Sequence, residues 1–122
     1  MDKRSIFFRY WSVVLLYTAG IFFISSFSYS LLEPIGEGPV IDKIFHVLIY
    51  SGLGFITSRA FFSTGVAGKY FLLSLFYCLC IGMLDEMYQK IVPHRYADGF
   101  DVVADFAGAV IGGWAWRVFS RG

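Results

Sequence analysis

The sequence predicts an all-α protein, a bundle of four transmembrane helices forming a single domain over residues 1–122. Three observations carry this expectation. Of the 122 residues, 57% are hydrophobic and 20% aromatic, with a mean hydropathy of +0.65; a soluble domain of this length has too little interior to hide that much apolar surface. The apolar residues gather in four runs, each close to the roughly 20 helical residues that cross about 30 Å of hydrocarbon. Breaks rich in glycine, proline and charge separate the runs. The runs are too long for strands and do not alternate, and a membrane barrel needs at least about eight strands. A net charge of +1 gives no sign of a nucleic-acid partner.

The first predicted span covers about residues 10–29 and carries no charge. Lys3, Arg4 and Arg9 ahead of it resemble the start of a signal peptide. The run is long, however, and no small-residue cleavage site leads into a soluble domain, so an uncleaved span is expected. Glu33, Pro34, Gly36, Glu37, Gly38 and Pro39 then break the helix. The second span, about 44–62, is interrupted by His46 and Arg59, and Ser63, Gly65 and Gly68 turn the chain. The third, about 70–88, ends in Asp85 and Glu86. It contains Cys78 and Cys80, which point in different directions on a helix and are expected to act as small hydrophobic residues. Pro93, His94, Arg95, Asp98 and Gly99 lead to the fourth span, about 100–119, which has Asp101 and Asp105 in its first turns.

Basic residues set the expected orientation. Lys3, Arg4, Arg9, Arg59, Lys69, Arg117 and Arg121 fall on one side, seven of the ten basic residues. That side, with both termini, is therefore expected to be cytoplasmic. Every acid except Asp2 falls on the other side, along with Lys43, Lys90 and Arg95. The polar residues of spans two, three and four are thus expected at one depth, near the extracytoplasmic face of the plasma (inner) membrane. The inner halves of the spans read as apolar.

Helical spacing turns these residues toward one another. Asp42, His46 and Tyr50 step by four along one side of a helix. Asp85 and Gln89 are four apart, and Glu86 and Gln89 three. Asp98, Asp101, Asp105, Gly108 and Gly112 step by three and four along one stripe, whose lower part lets another helix approach closely. Charge inside a membrane is costly, at least about 2.5 kcal/mol per unpaired group on insertion scales, so Glu86, Asp101 and Asp105 call for a role. Simpler readings stand beside it. Asp42 and Asp98 would cap helices, His46 and Tyr50 would be packed core residues, and Arg95 would close a structural ion-pair network.

In order and spacing, Asp42, Lys43, His46 and Tyr50, then Asp85, Glu86 and Gln89, then Pro93 and Arg95, then Asp98, Asp101, Asp105, Gly108 and Gly112 resemble the VanZ-like membrane proteins. The resemblance covers about residues 42–112; the first span matches only as an apolar helix. The family is named for a protein associated with low-level resistance to the glycopeptide teicoplanin. The resemblance implies a small envelope membrane protein with an outward-facing polar site and supplies no mechanism. Two positions depart from the family form: His94 stands where glycine is common, and Asp105 where asparagine is frequent. The second adds negative charge and favours a cation or an extra proton there.

Three functions follow from these residues. The first is a binding protein for an envelope lipid head group, a lipid-linked precursor, an amphiphilic glycopeptide or a cation. In it Lys43, His46 and Arg95 meet an anion, and Asp42, Tyr50, Asp85, Gln89, Asp98 and Asp105 line the site. An acidic cluster is a poor phosphate site, so this version calls for a bridging divalent cation. The second is an enzyme on a lipid-linked phosphate or glycan, with His46 as general acid or base and Glu86 or Asp101 as its orienter or a second acid–base group. No serine or cysteine nucleophile motif accompanies it. The third is a proton-coupled transporter, disfavoured because the acids stop near one face.

Overall fold

The computed structural model describes residues 2–26, 39–66, 68–92 and 99–121, and every regular element among them is an α-helix. The four helices are α1 (Lys3–Ser25), α2 (Pro39–Ser63), α3 (Tyr70–Gln89) and α4 (Gly99–Arg121). All four are long and apolar enough to cross a membrane.

Their ends follow local chemistry more closely than hydropathy. α1 begins at Lys3, well before the apolar run, because the Asp2 carboxylate accepts the Ser5 backbone N–H at 2.7 Å and caps the first turn. That hydrogen bond also holds the exposed Asp2 carboxyl below its ordinary range. α2 begins at Pro39, a residue whose fixed φ and missing N–H suit the first helical position. Pro39 therefore opens the helix, and Asp42 lies inside its first turn rather than ahead of it as a cap. At the other end Gly65 takes φ +101, and the Val66 N–H reaches the Phe61 carbonyl at 3.1 Å. This is a left-handed C-terminal cap, which glycine adopts without strain.

Side-chain contacts fix the helix directions. Trp11 near the start of α1 packs edge-on against Phe61 near the end of α2, ring centroids 4.8 Å apart, so α1 and α2 are antiparallel. Ser25 at the end of α1 meets Asp85 near the end of α3, and Lys43 at the start of α2 meets Asp101 at the start of α4. Ser25, Lys43, Asp85 and Asp101 thus share one end of the bundle, and both chain ends lie at the opposite end. α2 and α3 are central: α1 packs on both, α4 packs on both, and among the described residues α1 and α4 are not neighbours.

The closest pairing is α2 on α4. A Cβ at Gly112 would run into the Ser51 carbonyl, and one at Gly108 into the Val47 carbonyl. Gly54 lies against Ala109 in the same way, a Cβ there standing 2.5 Å from the Ala109 carbonyl oxygen. Small residues let the two backbones touch. Large apolar side chains instead face outward, among them Phe8, Leu16, Phe23, Leu48, Leu72, Phe76 and Phe119. The interior holds Val14, Leu53, Cys78 and Ala109 together with several polar residues. Lipid rather than water is the solvent that such an exterior suits.

The expectation of apolar inner halves is corrected here. Thr57, Ser58 and Ser74 are fully buried. The Thr57 and Ser74 hydroxyls are 2.5 Å apart, and Ser74 donates to the Gly54 carbonyl at 3.1 Å. Hydroxyls hidden inside a run hardly lower its hydropathy; those of Thr57 and Ser74 are satisfied on helix carbonyls, whereas the Ser58 hydroxyl makes no hydrogen bond among the described residues. Beyond them lies an aromatic cluster, with Trp116 edge-on to Phe55 and Phe62 and Arg59 stacked 4.8 Å over the Tyr10 ring.

Candidate functional site

α2 and α4 run parallel and touch, so equal steps along each stay level, about 6 Å per four residues. Asp42 and His46 on α2 accordingly meet Asp101 and Asp105 on α4. The His46 Nδ1 lies 2.7 Å from Asp105 Oδ1. The opposite ring nitrogen, Nε2, stands 3.5 Å from Asp101 Oδ2 and 3.9 Å from Asp42 Oδ1. Lys43 Nζ forms an ion pair with Asp101 and lies 3.8 Å from Asp42 Oδ2. Asp101 and Asp105 are only 3% and 2% exposed, and His46 8%; Asp42 and Lys43 are half-buried.

These contacts define the imidazole's chemistry. A neutral histidine donates from one nitrogen and accepts at the other. With Asp105 accepting from Nδ1–H, Nε2 presents its lone pair toward Asp42 and Asp101. When protonated, the ring donates on both sides and offsets part of the carboxylate charge. One ligand atom each from Asp42, His46 and Asp101 lies within 4.8 Å of the others, so these three residues are the ones that would hold a metal ion.

A second polar group lies across the bundle. The Ser25 hydroxyl on α1 donates to Asp85 Oδ1, and Gln89 Nε2 donates to Asp85 Oδ2 at 3.2 Å. Ser26 and Tyr88 pair at 2.8 Å. Tyr50 stands between the two groups. It is 1% exposed, its hydroxyl makes no close hydrogen bond to a described residue, and the carboxylates that act on it are Asp105 and Asp85, the latter as a weak hydrogen-bond acceptor.

The structure thus gathers five of the sequence-predicted site residues, Asp42, Lys43, His46, Asp101 and Asp105, in one network. Asp85 and Gln89 form the second group, and Tyr50 bridges the space between. Glu86, offered with Asp101 as the orienter of His46 or a second acid–base group, is half-buried on α3 next to Asp85; the carboxylate hydrogen-bonded to the imidazole is Asp105. Arg95 and Asp98 lie outside the described residues. Two contributors escaped the sequence reading. Ser25 gave no signal, as one of four serines among residues 25–30 at the end of the first span. Gly82 makes room for Asp105, since a Cβ there would stand 3.0 Å from Asp105 Oδ2; its place three residues before Asp85 was the available hint.

Four apolar helices that bury carboxylates and an imidazole at one end define a small multi-pass membrane protein with a polar centre. The VanZ/LLP1 family model matches residues 3–120, and the chain belongs to that family. The match extends the 42–112 resemblance over α1 as well. No curated protein and no solved structure matches the chain.

Proposed function

We propose that this protein binds the charged head group of an envelope amphiphile, a lipid or a lipid-linked precursor, at the end of the bundle formed by Ser25, Lys43, Asp85 and Asp101. The supporting observation is the network of Asp42, Lys43, His46, Asp101 and Asp105, with two carboxylates nearly fully buried. Helix packing alone does not require this much charge, and intramembrane charge usually marks a ligand or ion site. Lys43 and His46 supply cationic hydrogen-bond donors to an anionic head group, and the carboxylates orient them. The distribution of lysine and arginine favours an extracytoplasmic position in the plasma membrane.

The test is mass spectrometry of lipids that co-purify with wild type and with a Lys43→Met, His46→Gln variant. Selective loss of one head-group class from the variant is the expected result. Identical lipid profiles would rule the reading out.

The 2.7 Å contact of Asp105 with His46 Nδ1 favours a second reading, an enzyme on a lipid-linked phosphate or glycan. A buried carboxylate behind an imidazole fixes its tautomer and leaves Nε2 to accept a proton. In that role His46 is the base, Asp105 its orienter, and Asp101 a second acid–base group. Turnover of lipid-linked phosphates by purified protein, abolished in His46→Gln, is its signature; a protein that returns every such substrate unchanged excludes it.

A further inference from the structure

We infer that Asp42, His46 and Asp101 form a binding site for one divalent metal ion of the Mn²⁺ or Zn²⁺ type, with Asp105 holding the imidazole from behind. Metal-ligating histidines usually donate their second ring N–H to a carboxylate, which fixes the tautomer and raises ligand basicity. Asp105 occupies that position at 2.7 Å on Nδ1, and Nε2 faces two carboxylates. Ligand atoms about 2.1 Å from a shared ion stand about 3–3.5 Å apart. Asp101 Oδ2 is already 3.5 Å from Nε2 and Asp42 Oδ1 is 3.9 Å away. The ligand atoms of the whole set lie within 4.8 Å of one another, so side-chain rotation that draws Asp42 and Asp101 toward each other closes it on one ion.

Charge points the same way. Asp42, Asp101 and Asp105 bring three carboxylates to the network, and Lys43 is the one lysine paired with them among the described residues. Lys43 holds Asp101 when the metal is absent, and its flexible stem lets it swing aside when the metal enters. Tyr50 supplies an independent observation. It lies one turn deeper on the same stripe of α2, 1% exposed, with a hydroxyl that makes no close hydrogen bond to a described residue and faces the Asp85 carboxylate. A buried donor in that state leaves room for a water or a ligand atom in the space between the two polar groups. One nitrogen and two carboxylates suit Mn²⁺ or Zn²⁺ better than the all-oxygen shells of Ca²⁺ and Mg²⁺. Three protein ligands leave positions open for water or a phosphate oxygen. Only that last step rests on the head-group reading.

The experiment uses full-length protein in detergent, stripped with EDTA and titrated with MnCl₂ or ZnCl₂ alone. Free Mn²⁺ is followed by its electron paramagnetic resonance signal and Zn²⁺ by a competing chelator dye. Wild type should bind one equivalent and show nitrogen coupling from an imidazole on the bound Mn²⁺. His46→Gln should lose that coupling and at least about 100-fold in affinity. Asp105→Asn should weaken binding about 10–100-fold while retaining the coupling. Lys43→Met should bind more tightly than wild type, and the added metal should restore its melting temperature. The site is disproved if wild type takes up neither ion, or if His46→Gln binds as well as wild type. Metal uptake by protein that carries no head group would sink the head-group reading and support this site. Retention of a head group by EDTA-treated protein that takes up neither ion would do the reverse.

Discussion

His46 is the residue on which the polar centre turns, because each of its ring nitrogens faces a different group. Its position one turn from Asp42 was plain from spacing, and Asp101 and Asp105 are likewise one turn apart. That Asp105, rather than Glu86 or Asp101, accepts from Nδ1–H depends on α2 lying parallel to α4, which no pattern within either helix specifies. Lys43 neutralises Asp101, which is almost fully buried. Removing one partner of a buried pair leaves the other charged and desolvated, at a cost of about 3 kcal/mol. Lys43→Met in EDTA should therefore melt several degrees below wild type, and adding Asp101→Asn to it should recover most of the loss; additive losses would mean that the two residues do not pair. Tyr50→Phe removes a hydroxyl that makes no close hydrogen bond among the described residues. Its melting temperature should match or exceed that of wild type, within about 1 kcal/mol, while affinity for the bound ligand falls.

Among the elements, α2 and α4 bear the tightest constraint. The Gly108 and Gly112 stripe was legible as a close-approach surface, and the structure identifies Val47, Ser51 and Phe55 on α2 as what it approaches. Gly112→Leu forces the two backbones apart; overpacking of this kind costs about 1–3 kcal/mol or more. Because the same pairing sets the distance from His46 to Asp105, the variant should lose both thermal stability and metal binding. Gly20 on α1 is the contrasting case, with nothing within 4 Å of an added Cβ. Gly20→Ala should stabilise the protein by up to about 1 kcal/mol through helix propensity, read as a higher melting temperature with unchanged ligand binding. The helix ends show where hydropathy is a poor guide. Asp2 and Pro39 extend α1 and α2 into polar sequence, since capping and a preset φ act on the backbone regardless of side-chain polarity.

For the whole molecule, the polar centre and the chain termini lie at opposite ends of the bundle. Under the charge rule for short loops, the basic residues near the termini and at Arg59 and Lys69 predict that the end bearing the termini faces the cytoplasm. With Cys78 and Cys80 replaced by alanine, a single cysteine introduced at Ser120 should resist a membrane-impermeant thiol reagent in intact cells and react in inverted vesicles. Labelling in intact cells would invert the assignment and put the polar centre on the cytoplasmic face.

The number of helices, their membrane-spanning character and the residues carrying the polar stripes were determined by the sequence alone, because the energy of burying apolar surface in lipid scales with local composition. Tertiary structure decided the rest. It joined Asp105 to His46, brought Ser25 to Asp85, opened space at Gly82 for the Asp105 carboxylate, and buried Thr57 and Ser74 against a helix carbonyl. Those outcomes depend on which helix faces touch and in which direction, and lipid, which solvates all apolar faces alike, gives no preference among them. The close fit of Gly108 and Gly112 on α4 and of Gly54 on α2 against the facing backbones favours this pairing, and that pairing assembles the network around His46.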